Sequence, residues 1–404
     1  MNAESAIEWL FSTQMFGIKL GLDGPRKLLK DYLAYPKRGV KVIQVAGTNG
    51  KGSTAAMIDS VARACGIRTG LFTSPHLVHF SERIRVSGQR IPDQAIASGV
   101  TSLKELVADW AHHPTFFELS LALAMRYFAQ RECELIILET GMGGRLDATT
   151  AVPTDLAVIT PIGLDHTQWL GDTLEKIAGE KAGIIRHEKP VIVSQQEPEA
   201  FQVIERQANE MRAPLHLVDE PLLGYALGLK GPHQKHNAAL AVTALHVLGV
   251  ELREPTVRQG LENTSWPGRF EVLEEGRITL DGAHNPHSAL ALAETWNQEN
   301  GGKATLIFGA VESKDIRSVL ATLSTLAERV IFVKVPTQRG LEVETLRDAW
   351  PKESTCDQAE AKDLADALEL ARASDSKILV AGSLFLIGAA RAQLAGIPFQ
   401  ASEQ

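Results

Sequence analysis

Val42-Ile43-Gln44-Val45-Ala46-Gly47-Thr48-Asn49-Gly50-Lys51-Gly52-Ser53 is the stretch on which the fold turns. Val42 to Val45 is an apolar, β-branched run of the kind that fills a buried strand, and residues 54–64 carry a helical pattern stopped by Gly66. A glycine loop between strand and helix aims backbone N–H groups and the positive helix end at one point, which favours a bound phosphate. Lys51 is placed to reach the terminal phosphates. The loop departs from the common P-loop pattern twice: Val45 stands where the first glycine is expected, and Gly52 separates Lys51 from Ser53. A glycine turn without a ligand is the plainer reading, but strand, loop, lysine and helix in this order argue for phosphate.

Outward from this point, buried strands are predicted at 70–73, 134–139, 156–160 and 191–194, with helical patterns at 116–130, 173–185 and 234–248. Such alternation builds βαβ units, so the class is α/β with a mostly parallel sheet covered on both faces. Residues 82–91, with Ser87-Gly88 between alternating residues, read as an inserted hairpin. A Pro-Gly break at Trp266-Pro267-Gly268-Arg269 precedes a second series of strands at 277–280, 304–308, 329–334 and 377–381. The expected division is an N-terminal ATP-binding domain, 1–268, and a smaller Rossmann-like α/β domain, 269–404.

The bulk properties agree. A chain of 404 residues exceeds one ordinary core, and 44% apolar with 22% charged residues is a globular composition. The net charge of -8 argues against a broad nucleic-acid surface. No uncharged apolar stretch approaches the roughly 18–20 residues that span a bilayer, and the acidic N-terminus does not resemble an export signal. The 3 scattered cysteines, Cys65, Cys133 and Cys356, lack metal-ligand spacing and fit a reducing cytoplasm.

Several polar residues fall at the carboxyl ends of predicted strands, where open α/β sheets bind ligands. Glu139 closes the run Leu135-Ile136-Ile137-Leu138 and can hold the Mg²⁺ that accompanies ATP; taken alone it also reads as a solvated turn. His166, in Leu164-Asp165-His166, reads alone as a structural hydrogen-bonder, and its place on the same sheet edge favours a metal role. Lys181 by default is a helix-surface lysine. In Asp281-Gly282-Ala283-His284-Asn285-Pro286, Asn285 is either ligand-facing or a helix cap with Pro286 at the first helical position, whereas capping does not explain Asp281 and His284. Arg269 is either a plain surface residue or a cation reaching phosphate across a cleft.

Together, VAGTNGKGS, TSPHL at 73–77, LETGMGGRLDAT at 138–149, LDHTQWLG at 164–171, GEKAGI at 179–184, PGRF at 267–270 and DGAHNPHS at 281–288 resemble the folylpolyglutamate synthase/dihydrofolate synthase family, relatives of the Mur ligases. The matches run in order from about residue 17 to Ser383 and cover nearly the whole chain. The resemblance implies a Mur ligase-like fold. It also implies ATP-dependent ligation of L-glutamate to a folate, and to 7,8-dihydropteroate, through an acyl phosphate. Thr48, Asn49, Gly50, Lys51, Gly52, Ser53, Asn237, Arg269 and Asp281 would then meet ATP. Ser74 and Glu139 would hold one Mg²⁺ and His166 a second, helped by Lys181 as a carbamate, with a monovalent cation such as K⁺ also admitted. Lys51, Lys181, His166 and His284 would be catalytic, and His284 and Ser383 would meet glutamate. The folate or pteroate side would involve the loop 16–22 and Phe116, Phe117, Glu118, Leu146, Asp147 and Ala148. A monomer is the family expectation, with no nucleic-acid or membrane partner.

Thr150 stands where an asparagine is usual after LDAT, and Ala151 where a larger aliphatic residue is common; this bears on the pterin pocket only. Two rival readings remain. A ligase of muramoyl substrates would place about a hundred residues ahead of the phosphate loop, which here starts at Gly47. A P-loop switch without ligase activity would leave DGAHNP, His166 and Lys181 without a purpose.

Overall fold

The computed structural model describes residues 1–17, 19, 21–312 and 315–401. In the first half the strands are β1 (Lys41–Ala46), β2 (Thr69–Phe72), β3 (Ile84–Val86), β4 (Gln89–Arg90), β5 (Leu135–Glu139), β6 (Leu156–Ile159), β7 (Val191–Ser194) and β8 (Leu215–Val218). They form one sheet in the order β4-β3-β2-β5-β1-β6-β7-β8. It is parallel from β2 to β8, while β3 and β4 pair antiparallel as the hairpin read from the sequence. Ser87 and Gly88 turn that hairpin at φ 47° and 80°, the two positive angles a two-residue turn requires.

A central strand buried on both faces has no polar side to show, which is why β1 and β5 read as continuous apolar runs. Val42, Ile136, Leu138 and Phe72 face the helices Asp93–Val107 and Phe116–Gln130. Ile43, Val45, Ile137 and Leu71 face the helices Lys51–Ala64 and His233–Val247. The helix expected over 173–185 is shorter, Leu174–Ala182, and ends where the backbone closes on Gly183.

The second sheet comprises β9 (Glu271–Leu273), β10 (Ile278–Leu280), β11 (Ala304–Phe308), β12 (Ala327–Val333), β13 (Asp357–Ala361) and β14 (Ile378–Ala381), ordered β13-β12-β11-β14-β10-β9. Only β9 is antiparallel to its neighbour. Both sheets carry a strand absent from the sequence reading at each described unpredicted edge: β8, β9 and β13 are all terminal in sheet order. The carboxyl ends of β1, β5 and β6 and the end of β10 bring the polar loops together.

Candidate active site

The phosphate loop is shaped by what leaves no room for side chains. Gly50 caps the helix Lys51–Ala64 at φ 84°, and a Cβ there would lie 2.7 Å from Asn237 Oδ1. At Gly47, φ 153°, a Cβ would lie 1.8 Å from Thr160 Oγ1. Gly52 packs equally close, 2.8 Å for a Cβ, to the indole Nε1 of Trp266. Thr48 and Asn49 donate their N–H groups to Pro161 O, and Thr48 Oγ1 and Gly163 O lie 3.0 Å apart, so the loop is clamped to the end of β6. Ser53 is buried in the first helical turn.

Two ammonium groups converge on one carbonyl: Lys51 Nζ donates to Gly47 O at 3.0 Å and Lys181 Nζ at 2.8 Å. Lys181 is not a surface lysine; only 4% of it is exposed. Burial, and then the like charge of Lys51, push its pKa down to about 7. An amine so poised is in good part neutral at physiological pH and therefore nucleophilic.

Glu139, at the end of β5, is buried, and Ser74 N–H donates to its Oε2 at 3.1 Å. Burial raises its carboxyl above the usual value despite Lys51, Arg269 and Arg83 nearby, so the anion lacks compensation by the protein alone. Ser74, Glu139, Arg269 and Gly52 line one cleft. A buried carboxylate beside a serine, opening on a phosphate loop, is the hard-oxygen donor set that suits Mg²⁺. Arg269 also lies against Gly282 and acts on Asp281, whose two oxygens accept from Phe270 N–H and Ala283 N–H. Asn237 is buried against the loop, its Nδ2 donating to Gln234 Oε1 at 2.9 Å.

Across the cleft the two sheets are stitched by polar groups. Asn49 Oδ1 accepts from Asn285 Nδ2 at 3.1 Å, and Asn49 Nδ2 lies 2.9 Å from His287 Nδ1. Asn285 therefore satisfies both of its readings, because its Oδ1 also caps the helix Pro286–Glu299 by accepting from Ser288 N–H. Asp165 lies between two imidazoles, 4.0 Å from His166 Nε2 and 3.9 Å from His284 Nε2. Burial would raise its carboxyl, but these histidines and Lys51 hold it well below the usual carboxylate range. Desolvation, with Lys51 and Lys181 adding like charge, keeps His166 below its ordinary value. His284 Nδ1 lies 2.7 Å from Gly282 O, which leaves Nε2 turned to Asp165. Ser383 is buried and caps the helix Leu384–Ala395, its Oγ accepting from Phe385 N–H; Gly382 N–H binds Ala283 O, which joins this turn to the His284 loop.

The expected pterin side is partly core. Phe116 is fully buried, tilted against Phe11 and edge-on to Phe80, so its ring takes part in core packing. Phe117 is the half-buried ring, set against Gly141. Glu118 forms a capping box with Thr115, its Oε2 accepting from Thr115 N–H at 2.6 Å. Asp147 is likewise occupied: Oδ2 accepts from Gly141 and Met142 N–H, and Oδ1 from Thr149, so it shapes the loop carrying half-buried Leu146 and buried Ala148. Beneath that loop, Gln44 Nε2 donates to the Thr149 and Thr150 hydroxyls, and Thr150 Oγ1 donates to Gly144 O. Of the expected loop 16–22, Ile18 and Leu20 lie outside the described residues.

A model of the Mur ligase middle domain matches residues 45–213, and one of the Mur ligase glutamate ligase domain matches residues 268–384. The dihydrofolate synthase/folylpolyglutamate synthase of Bacillus subtilis is 34% identical over 97% of this chain and 99% of its own length. The chain belongs to the folylpolyglutamate synthase/dihydrofolate synthase family. The Escherichia coli member is 35% identical over 92% of this chain and 90% of its own. Among solved members of the family, E. coli FolC in complex with DHPP and ADP superposes with a TM-score of 0.88 at 33% identity, covering 98% of both chains. The Yersinia pestis bifunctional enzyme complexed with AMPPNP and Mn ion gives 0.87 at 31% identity, with 98% of both chains covered.

Against this family frame, reading the sequence overlooked Asp165, His287 and Trp266. Asp165 and His287 lie inside quoted motifs, LDH and NPHS, and only the folded geometry shows what each one faces. Nothing in the spacing of Trp266 points to Gly52.

Proposed function

We propose that this protein uses ATP to join L-glutamate to a folate, and also to 7,8-dihydropteroate, through an acyl-phosphate intermediate. The observation that supports the reading is the meeting of the phosphate loop with the Asp281–Ser288 loop, Asn49 to Asn285 and His287, which would set an amine held by the second unit against a phosphate held by the first. The units are taken as 1–268 and 269–404, acting as a monomer.

A carboxylate is a poor electrophile. Its oxygen attacks the γ-phosphorus of ATP, the bond to the β–γ bridging oxygen breaks, and ADP leaves. The glutamate amine then adds to the acyl carbon, phosphate departs with the C–O electron pair, and the ammonium proton is released, leaving an amide. Both steps gather negative charge on phosphoryl oxygens, so positioning and electrostatics do most of the work. Lys51 and Arg269 supply positive charge, the backbone from Thr48 to Ser53 cradles phosphate, and Asn237 braces Gly50. Ser74 and Glu139 would hold one Mg²⁺ and His166 with Lys181 a second; bound Mg²⁺ neutralises the phosphate oxygens. Lys181 fits carbamate formation, in which its neutral amine bonds to CO₂ and releases a proton. His284, with Nε2 turned to Asp165 and Ser383 close by in the chain fold, serves the incoming glutamate, and Phe117, Leu146 and Ala148 serve the pterin.

The test supplies dihydropteroate or tetrahydrofolate with ATP and labelled glutamate, and weighs the products. Each acceptor should gain glutamate with stoichiometric ADP release. Product from neither would refute the assignment, and product from tetrahydrofolate alone would remove the dihydropteroate activity.

A further inference from the structure

The loop that follows β2 belongs to two units at once. It carries Ser74 past the Glu139 carboxylate and then places Leu77 and Val78 in an apolar cluster with Ile278, Leu280 and Val380 of the second sheet. The helix Leu384–Ala395 packs straight onto it: a Cβ on Gly388 would lie 2.2 Å from Leu77 O. Beyond that helix, Gln400 grips the same loop three ways. Its N–H donates to Val78 O at 3.0 Å, its Oε1 accepts from Phe80 N–H at 2.9 Å, and its carbonyl lies 2.7 Å from His76 Nε2.

His76 is buried and has a second partner, for Arg83 Nε lies 2.8 Å from its Nδ1. A guanidinium N–H only donates and a carbonyl only accepts, so the ring is the neutral tautomer with hydrogen on Nε2, fixed from both sides. Arg83 is itself buried, its guanidinium carbon 4.9 Å from the centre of the Phe116 ring, and its charge acts on Glu139. Contacts thus run from Gln400 to His76 and Arg83, and the same loop, two residues before His76, donates Ser74 N–H to the Glu139 carboxylate.

We propose that Gln400, acting through His76 and Arg83, is a positioning residue for the Ser74–Glu139 side of the nucleotide site. The inference rests on the ligase reading above for the purpose of that site. The second unit then sets the geometry of a divalent-metal position in the first, so that metal affinity depends on a residue that touches neither metal nor nucleotide.

The test uses the full-length protein and reads Mn²⁺ affinity of the ADP complex by electron paramagnetic resonance, beside metal-free ADP affinity by calorimetry. An alanine would keep the Gln400 carbonyl that meets His76, so residues 400–404 are deleted instead, which removes all three Gln400 contacts; compared with the full-length protein this should weaken Mn²⁺ by about fivefold, with metal-free ADP affinity within about twofold of wild type. His76→Gln, which offers an N–H donor and an oxygen acceptor, should keep Mn²⁺ affinity; His76→Phe, similar in bulk without either, should lose it like the deletion of residues 400–404. Unchanged Mn²⁺ affinity after deletion of residues 400–404 would overturn the proposal, as would an equal fall in metal-free ADP affinity, which marks a general structural role. Should His76→Phe fail to fold, the deletion of residues 400–404 decides alone. Because binding is measured directly, absence of glutamate ligation by the wild type would refute the ligase reading separately.

Discussion

Lys181→Met separates the stability cost of the site from its chemistry. Lys181 is 4% exposed, and burial followed by the Lys51 charge brings its pKa from 10.5 to about 7. The unfolded chain, where this lysine titrates normally, binds more protons than the folded one between pH 7 and 10.5. Wild-type stability therefore rises with pH through that window, and the cost is complete below pH about 7. At pH 7 it amounts to about 4 kcal/mol, and at pH 9.5 to about 1 kcal/mol. Methionine removes this cost and forfeits a hydrogen bond to Gly47 O of about 1 kcal/mol. The variant should thus be more stable by about 3 kcal/mol at pH 7 and nearly equal at pH 9.5.

The assay is equilibrium urea unfolding of both proteins at the two pH values, without Mg²⁺ and in CO₂-depleted buffer, because a carbamate would replace the cation by an anion. Groups common to both proteins cancel in the difference. The same variant should lose glutamate-dependent ADP release by at least about a hundredfold, the order set by a catalytic electrostatic group. A stability gap that does not change with pH, or a variant less stable than wild type at pH 7, would refute the reasoning.

Gly50→Ala forces a Cβ to 2.7 Å from Asn237 Oδ1 at φ 84°; with about 1–2 kcal/mol of strain, ADP should bind about tenfold more weakly by calorimetry, and an unchanged Kd would count against the loop as the phosphate site. Glu139→Gln should abolish most Mn²⁺ binding while sparing metal-free ADP. Because burial raises the Glu139 carboxyl, wild-type Mn²⁺ affinity should fall on acidification already above pH 4.5, and the variant should show no such fall. Asn49→Leu deletes both links to Asn285 and His287; at about 1 kcal/mol each, closure should weaken, seen as a higher KM for glutamate and a larger radius of gyration, and no change in either would show the stitch to be incidental.

What could be read in advance follows burial. β5, β6, β7 and β14 along their length, and β1 from Val42 onward, are buried and announce themselves as apolar runs. The edge strands do not: β13 is Asp-Gln-Ala-Glu-Ala without a β-branched residue, and β8 and β9 leave Leu217 and Val272 nearly half exposed. The glycine loop and Glu139 are legible in the sequence because their places at a helix start and a strand end follow from the apolar pattern around them. Phe116 and Phe117 could not be told apart, since neighbours on a helix face different ways and both are aromatic. Asp165 was hidden by the histidine beside it, and the contact of Asn49 with His287 joins residues 238 apart in sequence. Lys181 looked like any helix lysine, and its perturbed pKa is a property of the packing around it.

Gln44 bears on how this enzyme's substrate side can be altered. Its two amide hydrogens are committed to Thr149 and Thr150, those hydroxyls pass theirs to Asp147 and Gly144, and Gln44 Oε1 has no partner among the described residues. The donors and acceptors under the loop therefore balance only as a set shared with β1. An asparagine at position 150 brings two donors where threonine has one, and Gly144 O with Gln44 Oε1 are two acceptors to meet them, while its own oxygen can accept from Gln44 Nε2. Recombination with a relative carrying that asparagine should therefore tolerate a crossover between residues 44 and 150 wherever position 44 stays glutamine, and fail where it does not.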